Sequence, residues 1–404
     1  MAESEDLLFK GLKVLDVGTW IAGPVSATML ADYGADVIKV ETPGMGDPYR
    51  MMTSSPLSPR LDYNYPWVLD ARNKRGISLN LKTESGRAIL MRLVADCDVY
   101  ITNQPTPTRE RFGLTYEQLA PLNPRMIYAS LSAYGETGPD AGREGFDAVT
   151  WWARSGLMDL VRAQGAAPGG STPGMGDHPT AVTMYAMIVT ALLRRERTGK
   201  GSHVHTSLLH NGIWSNACHA QAAFSGAELS PLKAERPPSP NRTPFLTRDG
   251  RYLWLYMVRT QEELDALFVA AGRHDLLGDE RFADANARLA NMADLMAVLA
   301  EILLERDLAD WMAAFREYNV PVVPIAEVGD LPDDPQVKAA GIISPPADPS
   351  VPAQWVINHP MHIDGMPTAG IRHAPEVGEH TADVLSELGY DTAAIAAFRA
   401  EGAI

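Results

Sequence analysis

The first third of the chain alternates short apolar runs with amphipathic stretches in a regular order. An apolar run that contains Asp16 is followed by Pro24, which suits the first turn of a helix, and by Gly34, which suits a helix end. The predicted strands lie at 12–17, 36–40, 98–102 and 125–130, and a further helix begins near Thr83. This βαβ order predicts a doubly wound α/β unit with a parallel sheet.

The pattern then changes to one long helix and a segment rich in Pro. Residues 180–197 are rich in Ala, Leu, Met and Ile, and Gly199 and Gly201 follow a basic last turn, which is typical of a helix end. Residues 227–241 are rich in Pro and polar residues, as linkers are. We expect the first part of a large domain at 1–205, a linker at 206–242, a small domain at 243–325 and a return to the large domain at 326–404.

The small domain is expected to be mainly helical with some strands. Helical patterns lie at 261–271, 284–304 and 308–318, and strand-like runs lie at 251–258 and 320–325. A further strand-like run at 355–363 and two short helices are expected in the C-terminal return.

Composition narrows the functional classes. The 404 residues carry a formal charge of −15, which argues against general binding of nucleic acids or anionic membranes. The start of the sequence lacks a basic segment leading into an apolar run, so we expect a soluble, cytoplasmic protein. Cys97 and Cys218 lie far apart without metal-ligand spacing, and both are expected to be free.

Common cofactor motifs do not fit. The turn after the first strand has Gly18 and Gly23 spaced as GxxxxG, and Trp20 and Ile21 stand where a backbone would have to approach a pyrophosphate. His203 and His205 share one face of a strand without an evident third ligand. The sequence therefore predicts neither a dinucleotide cofactor nor a metal.

Asp177 is the most prominent single acid. It stands in the segment MGDHP, at the Gly- and Pro-bounded start of the long helix. From the residues alone, a helix cap worth about 1 kcal/mol is a better interpretation than a catalytic role.

Several segments together resemble the family III coenzyme A (CoA) transferases, which include the formyl-CoA:oxalate and carnitine CoA-transferases. The resemblance runs in order through both ends and the middle of the chain. Its segments are GLKVLDVGTWIAGPVSATMLADYGADVIKVETPGMGDPYR, NKRGISLNLKTESG, ITNQPTPTRERFGLTYEQLAPLNPRMIYASLSAYG, MGDHPTA, LLRRERTGKGSHV and APEVGEHTADVLSELGY.

The resemblance implies that Asp177 is the nucleophile. It would attack an acyl-CoA to form an aspartyl anhydride, which returning CoA converts to an aspartyl-CoA thioester before the second acid enters. CoA and acyl-CoA are then substrates, with no tightly bound cofactor or metal. We also expect the helix dipole to keep Asp177 ionised near neutrality, and His178 to have a structural or substrate-shaping role.

The resemblance also implies binding positions. Those that match the CoA contacts of the family are Leu79, Asn103 and Arg111, with Lys74, Arg75 and Lys82 as added positive charge and Arg143 in a less certain register. Trp20, Ile21 and Trp151 are expected to line the acyl pocket, where they suit a group larger or less polar than oxalate. An aromatic core patch is an equal alternative for Trp151.

The family fold implied is an open, Rossmann-like α/β domain built from both chain ends, with a smaller α+β domain inserted and two subunits interlocked as a homodimer. Two other functions stay open at this stage. The first is a 2-methylacyl-CoA racemase-like enzyme, but the related acyl-CoA racemases use a base, often a His, where this chain has Phe146. The second is a catalytically silent CoA-binding scaffold or sensor, and the presence of Asp177 argues against it.

Overall fold

The computed structural model describes residues 7–56, 58–163, 165–233 and 238–404. The four strands expected in the first third belong to a parallel sheet of six strands, which also contains a strand that the sequence did not predict, at Arg75–Ser78, and the strand of His203 and His205, at Ser202–Ser207. The six strands are β1 (Lys13–Asp16), β2 (Asp36–Glu41), β3 (Arg75–Ser78), β4 (Val99–Thr102), β5 (Ile127–Ser132) and β6 (Ser202–Ser207), in the spatial order β3-β2-β1-β4-β5-β6. The prediction of an α/β fold with a parallel sheet is confirmed.

One compact unit runs to Leu229 and resumes over Gly341–Ile404, so it contains both ends of the described chain. Its helices up to Leu229 are α1 (Ala22–Asp32), α2 (Tyr65–Ala71), α3 (Glu84–Asp96), α4 (Thr106–Phe112), α5 (Tyr116–Leu119), α6 (Leu157–Leu160), α7 (Asp177–Thr198), α8 (Leu208–Ser215) and α9 (Ala217–Phe224). A 3₁₀-helix at Pro48–Ser54 and a π-helix at Ala148–Arg154 complete this part.

Apolar side chains cover both faces of the sheet, which explains why its strands are nearly continuous apolar runs. Successive residues of a strand point to opposite faces. Ile101 of β4 therefore packs with Leu30 of α1 and Ile188 of α7, whereas the preceding Tyr100 packs with Leu90 of α3. All five are fully buried.

The strand order creates a crevice at the carboxyl edge of the sheet. β1 lies between β2 and β4, so the connections that leave β1 and β4 diverge at this point. In open α/β sheets, ligands bind in the crevice outside the carboxyl ends at such a switch in strand order. The loops after β1, β2 and β4 meet there.

The C-terminal segment returns to the outer strand of this sheet. It contains the short antiparallel strands β10 (Ile343–Ser344) and β11 (Val356–Ile357) and the helices α16 (Thr381–Glu387) and α17 (Thr392–Ala400). The backbone N–H of Ser78 in β3 donates to Oγ1 of Thr381 at 3.0 Å, and the N–H of Asn80 donates to the carbonyl oxygen of Ala403 at 2.8 Å.

The expected linker at 206–242 differs from the structure in its first half, which forms α8 and α9. Ser207 caps α8 by accepting the backbone N–H of His210 at 3.0 Å. Asn211 then accepts a hydrogen bond from the hydroxyl of Thr183 on α7 at 2.7 Å, which attaches α8 to the large unit. The Pro-rich composition that suggested a linker begins only at Pro231, after both helices.

The second unit is Ser230–Ala340. Its strands β7 (Phe245–Leu246), β8 (Tyr252–Trp254) and β9 (Val323–Pro324) form an antiparallel sheet. Its helices are α10 (Ser230–Lys233), α11 (Gln261–Ala270), α12 (Ala285–Ala290), α13 (Met292–Leu303), α14 (Leu308–Glu317) and α15 (Pro335–Ala339), with 3₁₀ turns at His274–Leu276 and Val328–Asp333. Phe268, Trp311 and Phe315 are fully buried in its core.

Candidate active site

Asp177 is the first residue of α7, and the turn before it is closely packed. The backbone N–H of Gly176 donates to Oδ2 of Asp147 at 3.0 Å. A Cβ atom added to Gly176 would lie 2.6 Å from the ring of Trp151, so a side chain does not fit at this position. Gly176 is also the N-cap residue of α7, which leaves Asp177 inside the first turn rather than capping it.

Burial and the neighbouring acidic side chains make the ionisation of Asp177 unfavourable. The pKa of Asp177 is raised to about 7, chiefly by burial and also by the nearby carboxylates of Asp147 and Asp70, while His178 acts in the opposite direction. The expectation that the helix start alone keeps Asp177 ionised therefore omitted the larger effects. Burial and two neighbouring acids could not be read from the segment MGDHP.

His178 is held between two acceptors. Its Nδ1 lies 3.1 Å from the carbonyl oxygen of Gly174, and its Nε2 lies 3.1 Å from Oδ1 of Asp70. The other oxygen of Asp70 accepts the hydroxyl proton of Tyr49 at 2.5 Å. The pKa of His178 is raised to about 9, against the effect of burial, by its hydrogen bond to Asp70 and the charge of that carboxylate.

The loop after β1 is fixed by side chains from two other loops. Asn103, which follows β4, accepts the N–H of Thr19 at 2.8 Å and donates to its carbonyl oxygen at 2.7 Å. Asp47, which follows β2, accepts the N–H of Trp20 at 3.0 Å. Trp20 has φ of 64°, a region that bulky residues rarely adopt. The backbone of this loop is thus held in a strained conformation by specific contacts.

Two buried lysines stabilise the end of β1 and the loop that follows it. Nζ of Lys39 lies 2.8 Å from Oδ2 of Asp47 and 2.5 Å from the carbonyl oxygen of Gly18. Nζ of Lys74 lies 2.9 Å from Oδ2 of Asp16. Both lysine side chains are fully buried, so Lys74 stabilises the sheet edge and is not exposed to a nucleotide phosphate as the sequence suggested.

The structure brings the three expected pocket residues to the segment that carries Asp177. Trp151 packs on Gly176, and Ile21 lies 3.5 Å from the position of a Cβ atom at Gly174. Trp20 contacts Phe146 edge to face, with ring centroids 5.3 Å apart, and Phe146 directly precedes Asp147. Ile21 and Trp151 are buried in small apolar clusters, so apolar and aromatic side chains pack beside the candidate nucleophile, and the alternative of an aromatic core patch at Trp151 stays open.

Two expected CoA-binding cations share one groove. Lys82, which follows β3, and Arg111 of α4 line a depression of about 620 Å³, together with Arg87, Gln118 and one acidic residue, Glu110. Arg111 is exposed, with its guanidinium carbon 4.6 Å from the ring centroid of Phe112. This cluster of positive charge lies on the carboxyl side of the sheet, where β3 and β4 end.

A model of CoA-transferase family III matches residues 9–381 of the chain. The chain belongs to this family. Among its relatives, the (R)-2-hydroxy-4-methylpentanoate CoA-transferase of Clostridioides difficile is 33% identical, over 97% of this chain and 98% of its own. The cinnamoyl-CoA:phenyllactate CoA-transferase of Clostridium sporogenes is 30% identical, over 96% of this chain and 95% of its own.

The fold agrees with solved members of the same group. A crystal structure of a CAIB/BAIF family protein from Brucella suis superimposes with a TM-score of 0.83 at 32% identity, and the match covers 95% of this chain and 100% of that one. The protein is therefore a family III CoA-transferase, and the family resemblance of the sequence is confirmed. CoA thioesters are the substrates of such enzymes.

The other sequence-predicted CoA contacts of this family III enzyme have different surroundings. Arg75 begins β3 at the amino edge of the sheet, where it forms paired hydrogen bonds with Asp36 and with Glu387. The side chain of Leu79 is buried in the core. Arg143 is exposed, 3.4 Å from Asp140. Arg75 thus has a structural ion-pair network, away from the carboxyl edge.

Sequence reasoning missed three residues of the site, which are Tyr49, Asp70 and Asp147. Asp70 and Tyr49 lie on different segments from His178, and only the fold joins them. Asp147 directly follows Phe146, the position that corresponds to the racemase base. Its role in holding Gly176 has no signal in the local sequence.

Two negative findings concern the described ranges alone. Within residues 7–56, 58–163, 165–233 and 238–404, no group of three or more His, Cys, Asp or Glu side chains could hold a metal ion. Over the same ranges, every helix is too short or too polar to cross a membrane.

Proposed function

We propose that this family III enzyme transfers CoA from an acyl-CoA to a free carboxylic acid with Asp177 as the covalent carrier. The observation that carries the proposal is the position of Asp177, a half-buried carboxylate in the first turn of α7 that directly follows Gly176, on which Trp151 packs, and that lies near the charges of Asp147 and His178. A partly buried acid that a closely packed Gly turn positions, beside aromatic side chains, suits attack on a bound thioester.

Each step of the proposed cycle exchanges one activated acyl bond for another. An oxygen of Asp177 bonds to the thioester carbon, the C–S bond breaks, and CoA leaves as a thiolate, which gives an acyl-aspartyl anhydride. The thiolate then attacks the aspartyl carbonyl carbon and releases the first acid. The second acid attacks the carbonyl carbon of the resulting aspartyl-CoA, whose C–S bond breaks to give a new anhydride and CoA thiolate. The thiolate then attacks the acyl carbon of this anhydride, which forms the new acyl-CoA and releases the carboxylate of Asp177. No proton has to be moved and no ATP is consumed.

The start of α7 favours the transition states of these steps. Negative charge develops on a carbonyl oxygen at every tetrahedral intermediate, and the N-terminus of a helix has a partial positive charge. Asp177 is the first residue of a helix of 22 residues, so the reacting carbonyl lies at that terminus.

The groove with Lys82, Arg87 and Arg111 is the proposed site for the phosphates of CoA. A guanidinium can bind a phosphate through two parallel hydrogen bonds, and an added lysine supplies a point charge. In this proposal Asn103 is not a phosphate ligand, because its side-chain oxygen and nitrogen already form hydrogen bonds with the backbone N–H and carbonyl oxygen of Thr19. It would shape the loop that lies between the CoA and acyl parts of the substrate.

We further propose a branched or aromatic 2-hydroxy acid as the acyl group. The names of two relatives contain such acids, 2-hydroxy-4-methylpentanoate and phenyllactate. Trp20, Ile21 and Trp151 give the neighbourhood of Asp177 an apolar and aromatic character that suits these side chains better than a small dicarboxylate. The interlocked homodimer implied by the resemblance and the cytoplasmic location expected from the sequence remain predictions.

Substitution of the nucleophile tests the proposal. Asp177→Ala should lower the transfer rate by at least about 10³-fold, because no other group can form the anhydride. Binding of CoA, measured by calorimetry, and the melting temperature should be retained, since the buried carboxylate of Asp177 is costly to ionise. Asp310→Ala, which removes an exposed acid from α14, is the matched control. Transfer at the wild-type rate by the Asp177 variant would refute the proposal.

A further inference from the structure

His178 directly follows the proposed nucleophile, and both of its ring nitrogens contact protein oxygens. The carbonyl oxygen of Gly174 can only accept, so Nδ1 carries a proton. At Nε2 the partner is Asp70, whose carboxylate is buried and also accepts the proton of Tyr49. An acceptor at each nitrogen is the arrangement that stabilises a doubly protonated imidazolium.

The other charged groups near the ring of His178 determine how it affects the ionisation of Asp177. Asp147 and Asp70 both raise the pKa of Asp177, and His178 is the neighbour that lowers it. Three carboxylates therefore share the site with one imidazolium. Tyr49 adds no charge, because burial and the carboxylate of Asp70 raise its pKa far above neutrality.

On its other side, His178 lines a cavity of about 450 Å³ together with Arg72, His359 and His362. Arg72 is paired with Asp32 at 2.8 Å. Burial lowers the pKa of His359. The ring of His178 thus joins this cavity to the turn that carries Asp177.

We propose that His178 is a positioning residue, whose imidazolium charge, fixed by Asp70 and the Gly174 carbonyl, keeps Asp177 ionised against the field of Asp147. This inference rests on the proposed role of Asp177 as the nucleophile. Only the ionised carboxylate attacks a thioester, so the ionised fraction of Asp177 scales the rate. The pKa of Asp177 near 7 already includes the lowering by His178, so without His178 the pKa would be higher and the carboxyl group would be mostly protonated at neutral pH.

The same geometry argues against His178 as a general base. Its nitrogens are both engaged, and attack by a carboxylate has no proton to remove. Its contribution is therefore an electrostatic one, which a different cation at the same position could supply in part.

The pH dependence of kcat/KM for the acyl-CoA donor distinguishes this role from a structural one. The loss of one neighbouring charge shifts a pKa by about one unit. His178→Gln should then be about fivefold slower than wild type at pH 7 and within about twofold of wild type at pH 9. The acid limb of its pH–rate profile should move to higher pH. Asp147→Asn should move the limb in the opposite direction, because it removes a charge that opposes ionisation of Asp177.

His178→Lys is the matched variant, because it retains a positive charge without the imidazole. It should keep the acid limb closer to wild type than His178→Gln does. A loss of rate in His178→Gln that is equal at every pH, or an equal upward shift in His178→Lys, would overturn the proposal. A rise in KM for the donor with an unchanged profile would also overturn it, in favour of a substrate contact.

A parallel label separates this inference from the proposed function. Wild type and His178→Gln are treated with acyl-CoA and hydroxylamine at pH 9, and the peptide that contains Asp177 is analysed by mass spectrometry. Label in both proteins retains Asp177 as the carrier, whatever the pH profiles show. Absence of label in active wild type refutes the carrier role instead, and the inference about His178 falls with it.

Discussion

At the scale of single residues, the site combines a proposed carboxylate nucleophile with surroundings that oppose its ionisation. Asp177 is flanked by Asp147 and Asp70, and burial adds to their effect on its pKa. A raised pKa also raises the nucleophilicity of the carboxylate once it is ionised. The site therefore needs a local cation rather than a more exposed acid, and His178 is placed to supply it.

Arg111 carries a prediction at the same scale. Arg111→Ala should raise KM for the CoA ester by about tenfold, the loss of one charge-assisted contact, and leave kcat nearly unchanged. Arg197→Ala is the control, since this exposed arginine lies in the last turn of α7, at the far end from Asp177. Steady-state kinetics on both variants provide the measurement. An unchanged KM in Arg111→Ala would remove the groove as the CoA site.

At the scale of elements, local sequence signals predicted the strands and the long helix better than the connections. The apolar runs of β1, β2, β4 and β5 and the composition of α7 are strong local patterns. By contrast, α8 lay within the expected linker, because its attachment through Asn211 to Thr183 is a tertiary contact. The expected helix at 284–304 is divided into α12 and α13 at Asn291, whose side chain amide donates to the carbonyl oxygen of Ala287.

The start of α7 makes its own prediction. Gly176→Ala places a Cβ atom 2.6 Å from Trp151, so the turn must move and carry Asp177 with it. We expect kcat to fall at least tenfold and stability to fall by about 1–3 kcal/mol, as is usual for overpacking. Gly170→Ala is the matched control, because an added Cβ atom there meets nothing within 4 Å. Full activity in Gly176→Ala would show that the close packing of this turn is not needed.

At the scale of the whole molecule, the carboxyl edge of one parallel sheet organises the site. Loops after β1, β2 and β4 fix the backbone at Thr19 and Trp20, and the groove with Lys82 and Arg111 follows β3 and β4. The family resemblance of the sequence named Asp177, Lys82 and Arg111 as candidates, and the fold places Lys82 and Arg111 in one groove. The resemblance could not locate Asp147, Asp70 or Tyr49, because their roles depend on contacts between segments that are distant in sequence.

The central claim, that Asp177 carries the acyl group and CoA in turn, is tested most directly by trapping. The active enzyme is incubated with a panel of acyl-CoAs and hydroxylamine, digested, and analysed by mass spectrometry. We predict an aspartyl hydroxamate at Asp177 that requires acyl-CoA and is absent from Asp177→Ala. Active enzyme in which Asp177 never acquires the label under these conditions would contradict the account.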